Sequence, residues 1–477
     1  MREVTVGTAD LAAYQQVLGP ERSATLRSGA GRLAALLAGR TVWNVNSTAA
    51  GGGVAELLHS LVPLARALGV PVRWLVIDGD AEFFAITKRL CTLVYGSPGD
   101  GGPTGEAERE HYRKVTEANA ADLAGFVRPG DVVIVHEAQP AGLVPAAARL
   151  GAKVVYRSHT GCDTPNEHTA RGWAFIRPYV EQADATVFLI PPHVQPWAPA
   201  PQVVAPSIDP CLPKNVALSQ DEAVEVLRAV GALAGGAADG GPVTVSPGGG
   251  PSIELRRPVI AVREGDPPPA DAPMVVQVSR WDRLKDMAGV LRSFVAADVP
   301  GSYLTLAGSD VTGVSDDPEA EEMFVECRRE WERLPTELRA RIQLLCLPMA
   351  DPRENALVVN ALQQHATVVV QKSVAEGFGL TATEAMWKSR PLLANAVGGL
   401  RTQVVPDESG LLLDPTRPDG AAGGIARVLA DPALADRLGA GARRRVHENY
   451  LPDRHLLQWG DLIETLVKED DPDASAR

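Results

Sequence analysis

ATVVVQKSVAEGFGLTATEAMWKSRPLLANAV, residues 366–397, holds the pattern that decides the fold. A β-branched stretch, ATVVVQ, runs into the small-residue loop EGFG, then a helical segment from Leu380 to Lys388, then a second apolar stretch, PLLANAV. A buried strand, a glycine turn, a helix and another buried strand form the unit from which parallel sheets are built. MVVQVS from Met274, SYLTLAG from Ser302 and IQLLCL from Ile342 read as strands of the same series, with helical segments between them.

The first half of the chain repeats the theme. Thr41 to Asn46 reads as a strand, Ser47 to Gly53 as a glycine-rich turn, and Val54 to Leu68 as a helix with apolar residues recurring every three or four positions. Val72 to Ile77, Val132 to Val135, Val154 to Tyr156 and Ala185 to Leu189 are further strands. The expected fold class is therefore α/β, with two doubly wound Rossmann-like halves. Such folds take ligands outside the carboxyl ends of their strands, and the cleft between the halves is the expected active site.

Between the halves, VVAPSIDPCLP (203–213) reads as a crossing. Residues 231–273, loaded with Gly, Pro and Ala, read as an insertion or mobile loop, with room for a strand pair between Pro242–Val245 and Val259–Val262. The pattern His455–Lys468 is a last helix, and the acidic tail EDDPDASAR is expected to fray.

The 477 residues, 45% hydrophobic and 22% charged, suit a globular protein of two or three domains. A net charge of −13 argues against nucleic acid or anionic membrane as partner. The N-terminus has no signal-peptide core and no run of about 18 apolar residues occurs, so a cytoplasmic protein without a membrane span is expected. Cys91, Cys162, Cys211, Cys327 and Cys346 lack metal or redox spacing and read by default as structural thiols in a reducing compartment, with Cys162 set apart by its place in the segment RSHTGCDTPN. No solenoid repeat is visible.

Four segments carry chemistry. In EGFGLTATE, Glu376 to Glu384, Gly377 and Gly379 let the backbone approach a ligand, and the helix that follows offers its positive end to a diphosphate. A turn that simply needs glycine fits equally well. The two glutamates are too far apart for a retaining glycosidase pair: on one helix their backbones would stand roughly 12 Å apart, whereas such a pair needs about 5–5.5 Å between carboxyls. In SRWDRLKD, Ser279 to Asp286, Arg280 and Lys285 follow a strand end where phosphate oxygens could be clamped, although such cations are usually solvated surface charge. Gly51, Gly52 and Gly53 precede a helix but match neither common phosphate-loop pattern. In RSHTGCDTPN, His159 at a strand end could bond a sugar hydroxyl or reacting group, or serve the loop. Asp78-Gly79-Asp80 reads as an ordinary turn, and His136-Glu137 lacks the second histidine of a zinc motif.

Together these segments resemble retaining glycosyltransferase family 4, of GT-B fold, whose E-x7-E signature matches Glu376 to Glu384. WNVNSTAAGGGVAELLHSLVPLARALG, VIDGDAEFFAITKRL, PSIDPCLPKN, QVSRWDRLKD and EGFGLTATEAMWKSRPLLANAVGGLRTQV resemble its trehalose synthase branch over nearly the whole chain. The resemblance implies an N-terminal acceptor domain, 1–205, completed by a C-terminal helix, 453–477. It implies a nucleotide-sugar donor domain, 206–452, that carries the 231–273 insertion. It implies that Arg280 and Lys285 hold the donor diphosphate, that Glu376 binds the transferred sugar and Glu384 the ribose, and that His159 lies near the sugar. Gly377, Phe378, Gly379 and Leu380 would give backbone contacts, and Gly52 and Gly53 would close on the donor from the other domain.

The implied reaction is front-face transfer of glucose from a nucleotide diphosphate glucose such as UDP-glucose, with retention, to a small sugar. No protein nucleophile, cofactor or catalytic metal is implied. The chain departs from the branch at Cys91-Thr92, where relatives carry His-Asn, and in the loop TGCDTPN. Both departures fall in the half that shapes the acceptor pocket, so the acceptor residues stay unknown. Glucose, giving trehalose, is the leading acceptor, with another sugar or a cyclitol as the alternative. A phosphorylase on the same fold and a non-catalytic sugar-nucleotide binder are the competing classes. The nucleotide base and the oligomeric state are not readable from sequence, with a homodimer left open.

Overall fold

The computed structural model describes residues 1–236, 242–311, 318–417 and 419–468. The tail read as frayed, 469–477, and the ends of the proposed domains that fall on it lie outside the described residues. The chain divides into two compact units: Met1–Ile208 with Glu376–Phe378 and Tyr450–Arg477, and Asp209–Ala375 with Gly379–Asn449.

In the first unit, β1 (Arg2–Glu3), β2 (Val42–Asn46), β3 (Val72–Val76), β4 (Val132–His136), β5 (Lys153–Arg157), β6 (Ala185–Phe188) and β7 (Pro201–Val203) form one sheet. Its order is β1-β3-β2-β4-β5-β6-β7. All neighbours are parallel except the antiparallel edge strand β1. Alternate side chains of the inner strands enter two separate cores: Trp43, Val45, Val133 and Val135 on one face, Val42, Trp74, Val132 and Ile134 on the other. A strand buried on both sides must be largely apolar, which is why these strands read as mainly hydrophobic runs.

The second core is closed by the C-terminal helix Pro452–Lys468, which lays Trp459, Ile463, Leu466 and Val467 against it, all at most 7% exposed. Each such side chain contributes about 1.5–3 kcal/mol. Arg22, on the long N-terminal helix Leu11–Leu36, holds the first turn of that C-terminal helix through Asp453 at 2.7 and 2.8 Å.

The second unit holds a hairpin of β8 (Val243–Val245) and β9 (Ile253–Leu255), and a sheet of β10 (Ile260–Val262), β11 (Met274–Val278), β12 (Tyr303–Ser309), β13 (Ile342–Leu347), β14 (Val368–Gln371), β15 (Leu392–Asn395) and β16 (Leu411–Leu413). The sheet order is β10-β13-β12-β11-β14-β15-β16, with β10 antiparallel at the edge. Both units are thus doubly wound α/β. Strand order reverses between β2 and β4 in the first sheet and between β11 and β14 in the second. Such switch points leave a crevice beyond the strand ends, because the connections on either side go to opposite faces.

The Gly/Pro-rich stretch 231–273 corrects the sequence reading. Its two expected strands do not pair with each other. Val243–Val245 pairs with Ile253–Leu255, while Ile260–Val262 extends the main sheet, with Ile260 opposite Cys346. The edge of β13 offers unpaired backbone groups to any extended neighbour, and that demand outweighs low hydrophobicity. Ala234 N–H also bonds Pro268 O at 2.9 Å. Among its described residues the stretch is built into the second unit; residues 237–241 lie outside them. Of the cysteines read as structural thiols, Cys327 and Cys346 are buried, whereas Cys91, Cys162 and Cys211 are partly exposed.

Candidate functional site

In the second unit the site residues follow β11 and β14, the two strands at the switch point. A buried Gln277 on β11 ties their loops together. Its side-chain amide donates to Lys285 O at 2.8 Å, and its oxygen accepts Lys372 N–H at 3.2 Å. Val374 N–H donates to Leu284 O at 2.8 Å, and Lys372, only 3% exposed, pairs with Asp286. Asp286 adopts a left-handed φ of 45° and caps the following helix Met287–Ala297 through Gly289 N–H at 3.0 Å. The Lys285 loop is therefore fixed to the base of the EGFG segment. Arg280 stays 69% exposed and bonds Asp282 at 2.7 Å, a contact that a diphosphate oxygen can replace.

The EGFG segment leads into the helix Leu380–Trp387, whose cap Gly379 has φ 89°. That left-handed cap favours glycine, and the first backbone N–H groups of a helix, which have no acceptor within it, suit an anion. Glu384, 1% exposed in this helix, pairs with Lys214 at 3.0 Å. Asn215 beside it accepts Lys388 Nζ at 3.2 Å and, through its carbonyl, Trp387 Nε1 at 3.0 Å. The segment 209–216 thus holds the helix by its C-terminal half.

In the first unit, β2, β4 and β5 deliver Gly52–Gly53, His136–Glu137 and His159. Gly51 and Gly52 take left-handed φ of 74° and 77° at the start of the helix Gly52–Ala67, and Gly51, Gly52 and Gly53 are all exposed. His136 Nδ1 lies 2.9 Å from His159 Nε2, and His136 Nε2 lies 3.0 Å from Asn44 Oδ1. Burial, with the buried Arg157 cation nearby, pushes His136 down to about 3. Burial, Arg157 and His136 hold His159 well below the usual histidine range. Both rings are neutral at physiological pH. Glu137 sits at φ 72°, and its carboxylate accepts His159 N–H and, at 3.2 Å, Thr160 Oγ1. Burial pushes it up to about 7.

Glu376, Gly377 and Phe378 group by their contacts with the first unit. Phe378 packs edge-on to Tyr450 at 5.4 Å, and a Cβ on Gly377 would stand 2.6 Å from the His159 carbonyl oxygen, so only glycine fits there. Glu376 is half-buried. His159 and Gly377 are thereby neighbours, while Arg280, Lys285, Gly379, Leu380 and Glu384 are ordered within the second unit and Gly52 and Gly53 within the first. Asp80 caps the helix Ala81–Val94 through Phe83 N–H at 2.8 Å, which gives the DGD turn a structural role.

Sequence reasoning passed over Asn44, Gln277, Lys372, Lys214 and Arg157, and it set His136 and Glu137 aside as a failed zinc motif. The available signal was polarity inside apolar strands, as in VWNVN and MVVQV, since a buried polar side chain is kept where it has a partner. Among the described residues no three of His, Cys, Asp and Glu are grouped as a metal would require, and no helix is long and apolar enough to cross a membrane.

A family model for the N-terminal domain of trehalose synthase matches residues 44–195, and one for glycosyl transferases group 1 matches residues 351–445. The trehalose synthase of Pyrococcus horikoshii is 32% identical over 98% of this chain and 99% of its own. The chain belongs to the trehalose synthase family. It is a GT-B glycosyltransferase, a nucleotide-sugar-dependent hexosyltransferase of trehalose metabolism. A trehalose phosphorylase of Pleurotus pulmonarius is more distant, 27% identical over 84% of this chain and 54% of its own. Among solved structures, an α,α-trehalose-phosphate synthase of Burkholderia xenovorans matches the fold seen here with a TM-score of 0.64, at 14% identity, over 89% of this chain and 99% of that one.

Proposed function

We propose that this chain transfers glucose, with retention, from a nucleoside diphosphate glucose to a free sugar, with glucose as acceptor and trehalose as product. The observation that carries the reading is the set Arg280, Lys285, Glu376 and Glu384 in a chain matched over 94–98% of its length by trehalose synthases, with Arg280, Lys285 and Glu384 following the strands of a switch point.

Arg280 and Lys285 hold the diphosphate, helped by the backbone N–H groups of Gly379 and Leu380. Glu384, oriented by Lys214, takes the ribose hydroxyls. Glu376 and His159 bind hydroxyls of the transferred sugar, and Gly52, Gly53, Gly377 and Phe378 contribute backbone contacts. The bond from C1 to the phosphate oxygen breaks as the bond from C1 to the acceptor oxygen forms on the same face. The acceptor's proton goes to the departing diphosphate. Positive charge develops on the sugar and negative charge on the leaving group, so fixed cations and N–H dipoles at the phosphate lower the barrier. The reading assigns no protein nucleophile, metal or other cofactor, and a cytoplasmic location.

Nucleotide release from UDP-, ADP- and GDP-glucose, with and without glucose, tests it. Release that requires glucose, ignores chelator and names one donor base is the expected result. Release of glucose 1-phosphate from trehalose and inorganic phosphate, without glucose-dependent nucleotide release, would move the chain to the phosphorylase class. Cys91-Thr92 and the loop 160–166 favour a second acceptor in the same panel, a cyclitol, because they alter the acceptor half.

A further inference from the structure

The three strands that bring Asn44, His136 and His159 together are adjacent and parallel, with Asn44 opposite Ile134 on β4 and His136 opposite Arg157 on β5. We propose that these residues form a polarised hydrogen-bond chain in which Asn44 and His136 fix the tautomer of His159, leaving its Nδ1 as an acceptor for a sugar hydroxyl.

The polarity is set at the far end. Asn44 Nδ2 points to the carbonyl oxygen of Arg73 at 3.5 Å. Turning the amide over would set two acceptor oxygens against each other, so Oδ1 is the atom that faces His136. An oxygen can only accept; His136 Nε2 therefore carries the hydrogen across the 3.0 Å contact. A neutral imidazole has one N–H, so His136 Nδ1 holds a lone pair and must accept from His159 Nε2 at 2.9 Å. Burial keeps both rings neutral. The proton of His159 is then committed to His136, and Nδ1 is left without one. The ring is held in place as well as in tautomer. Its own backbone N–H is bound by the Glu137 carboxylate, and the two rings lie nearly parallel with centroids 5.2 Å apart.

The consequence is directional. His159 cannot offer a hydrogen to an ether or phosphate oxygen without breaking the chain, but it can receive one from a hydroxyl. This inference deepens the proposed function and rests on it for the identity of the hydroxyl. Asn44 and His136 are positioning residues, since they act through His159.

Long-range 1H–15N correlation spectra of the full chain, labelled with 15N-histidine and recorded near pH 7.5 without substrate, read the tautomer. Spectra of His136→Phe and His159→Gln assign the signals. The expected result is hydrogen on Nε2 of both His136 and His159. Hydrogen on His159 Nδ1 would overturn the proposal, as would an unchanged single tautomer in Asn44→Leu. With UDP-glucose and glucose as probes, Asn44→Leu should lose at least about tenfold in kcat/KM, the scale on which groups behind an active histidine act. Because the tautomer is read without turnover, a chain that fails to transfer glucose contradicts the functional reading and leaves this measurement intact.

Discussion

Lys214 Nζ stands 3.0 Å from Glu384 Oε1, and the carboxylate is only 1% exposed. A buried carboxylate is costly unless paired, so the segment that enters the second unit also sets the group proposed to take the ribose.

Removing one partner should cost more than removing both. Lys214→Met is expected to lower stability by about 2–4 kcal/mol, because it strands the carboxylate. Lys214→Met with Glu384→Gln should recover at least about 1 kcal/mol of that. Urea denaturation of the two single variants and the double variant checks it; strictly additive losses would contradict the pairing.

Glu137 gives a pH dependence with a definite sign. Burial raises its carboxyl from 4.5 to about 7 in the folded chain. Between those values the folded state holds a proton that the unfolded state has lost, so stability falls as pH rises through the window, and the full cost is present above it. Glu137→Gln removes that cost while keeping an acceptor for His159 N–H. Relative to wild type it should gain up to roughly 3 kcal/mol on going from pH 5 to pH 8. Parallel stability profiles would contradict the shift.

Arg280 separates activity from folding. Its side chain is 69% exposed and, among the described residues, bonds Asp282. Arg280→Ala should leave stability within about 0.5 kcal/mol and lower turnover by about 10²–10³. Arg280→Lys should restore only part of it, since an ammonium lacks the guanidinium fork. Turnover unchanged in both Arg280→Ala and Glu376→Ala would remove these residues from the site.

The αβ alternation was legible because parallel strands buried on both faces carry apolar runs, such as Val132–Val135 on β4. The short edge strands were not: Pro201–Val203 is exposed along its length and carries no pattern. The helix Leu11–Leu36 was equally silent, since Gly19 at φ 77° followed by Pro20 interrupts its period. The glycines of EGFG announced a ligand loop, but the Asn44–His136–His159 chain depends on strand register. Parallel pairing places His136 opposite Arg157, two residues before His159, and no spacing along the sequence encodes that neighbourhood. Lys214 was hidden for the same reason, far in sequence from Glu384.

The measurement that bears most directly on the whole account is the linkage formed by wild-type protein from nucleoside diphosphate glucose labelled with 13C at C1 and unlabelled glucose. NMR of the product should show the labelled carbon in an α,α-1,1 linkage, formed only when both sugars are present. A β-configured labelled carbon, or no disaccharide with any donor base, would contradict retaining transfer to glucose.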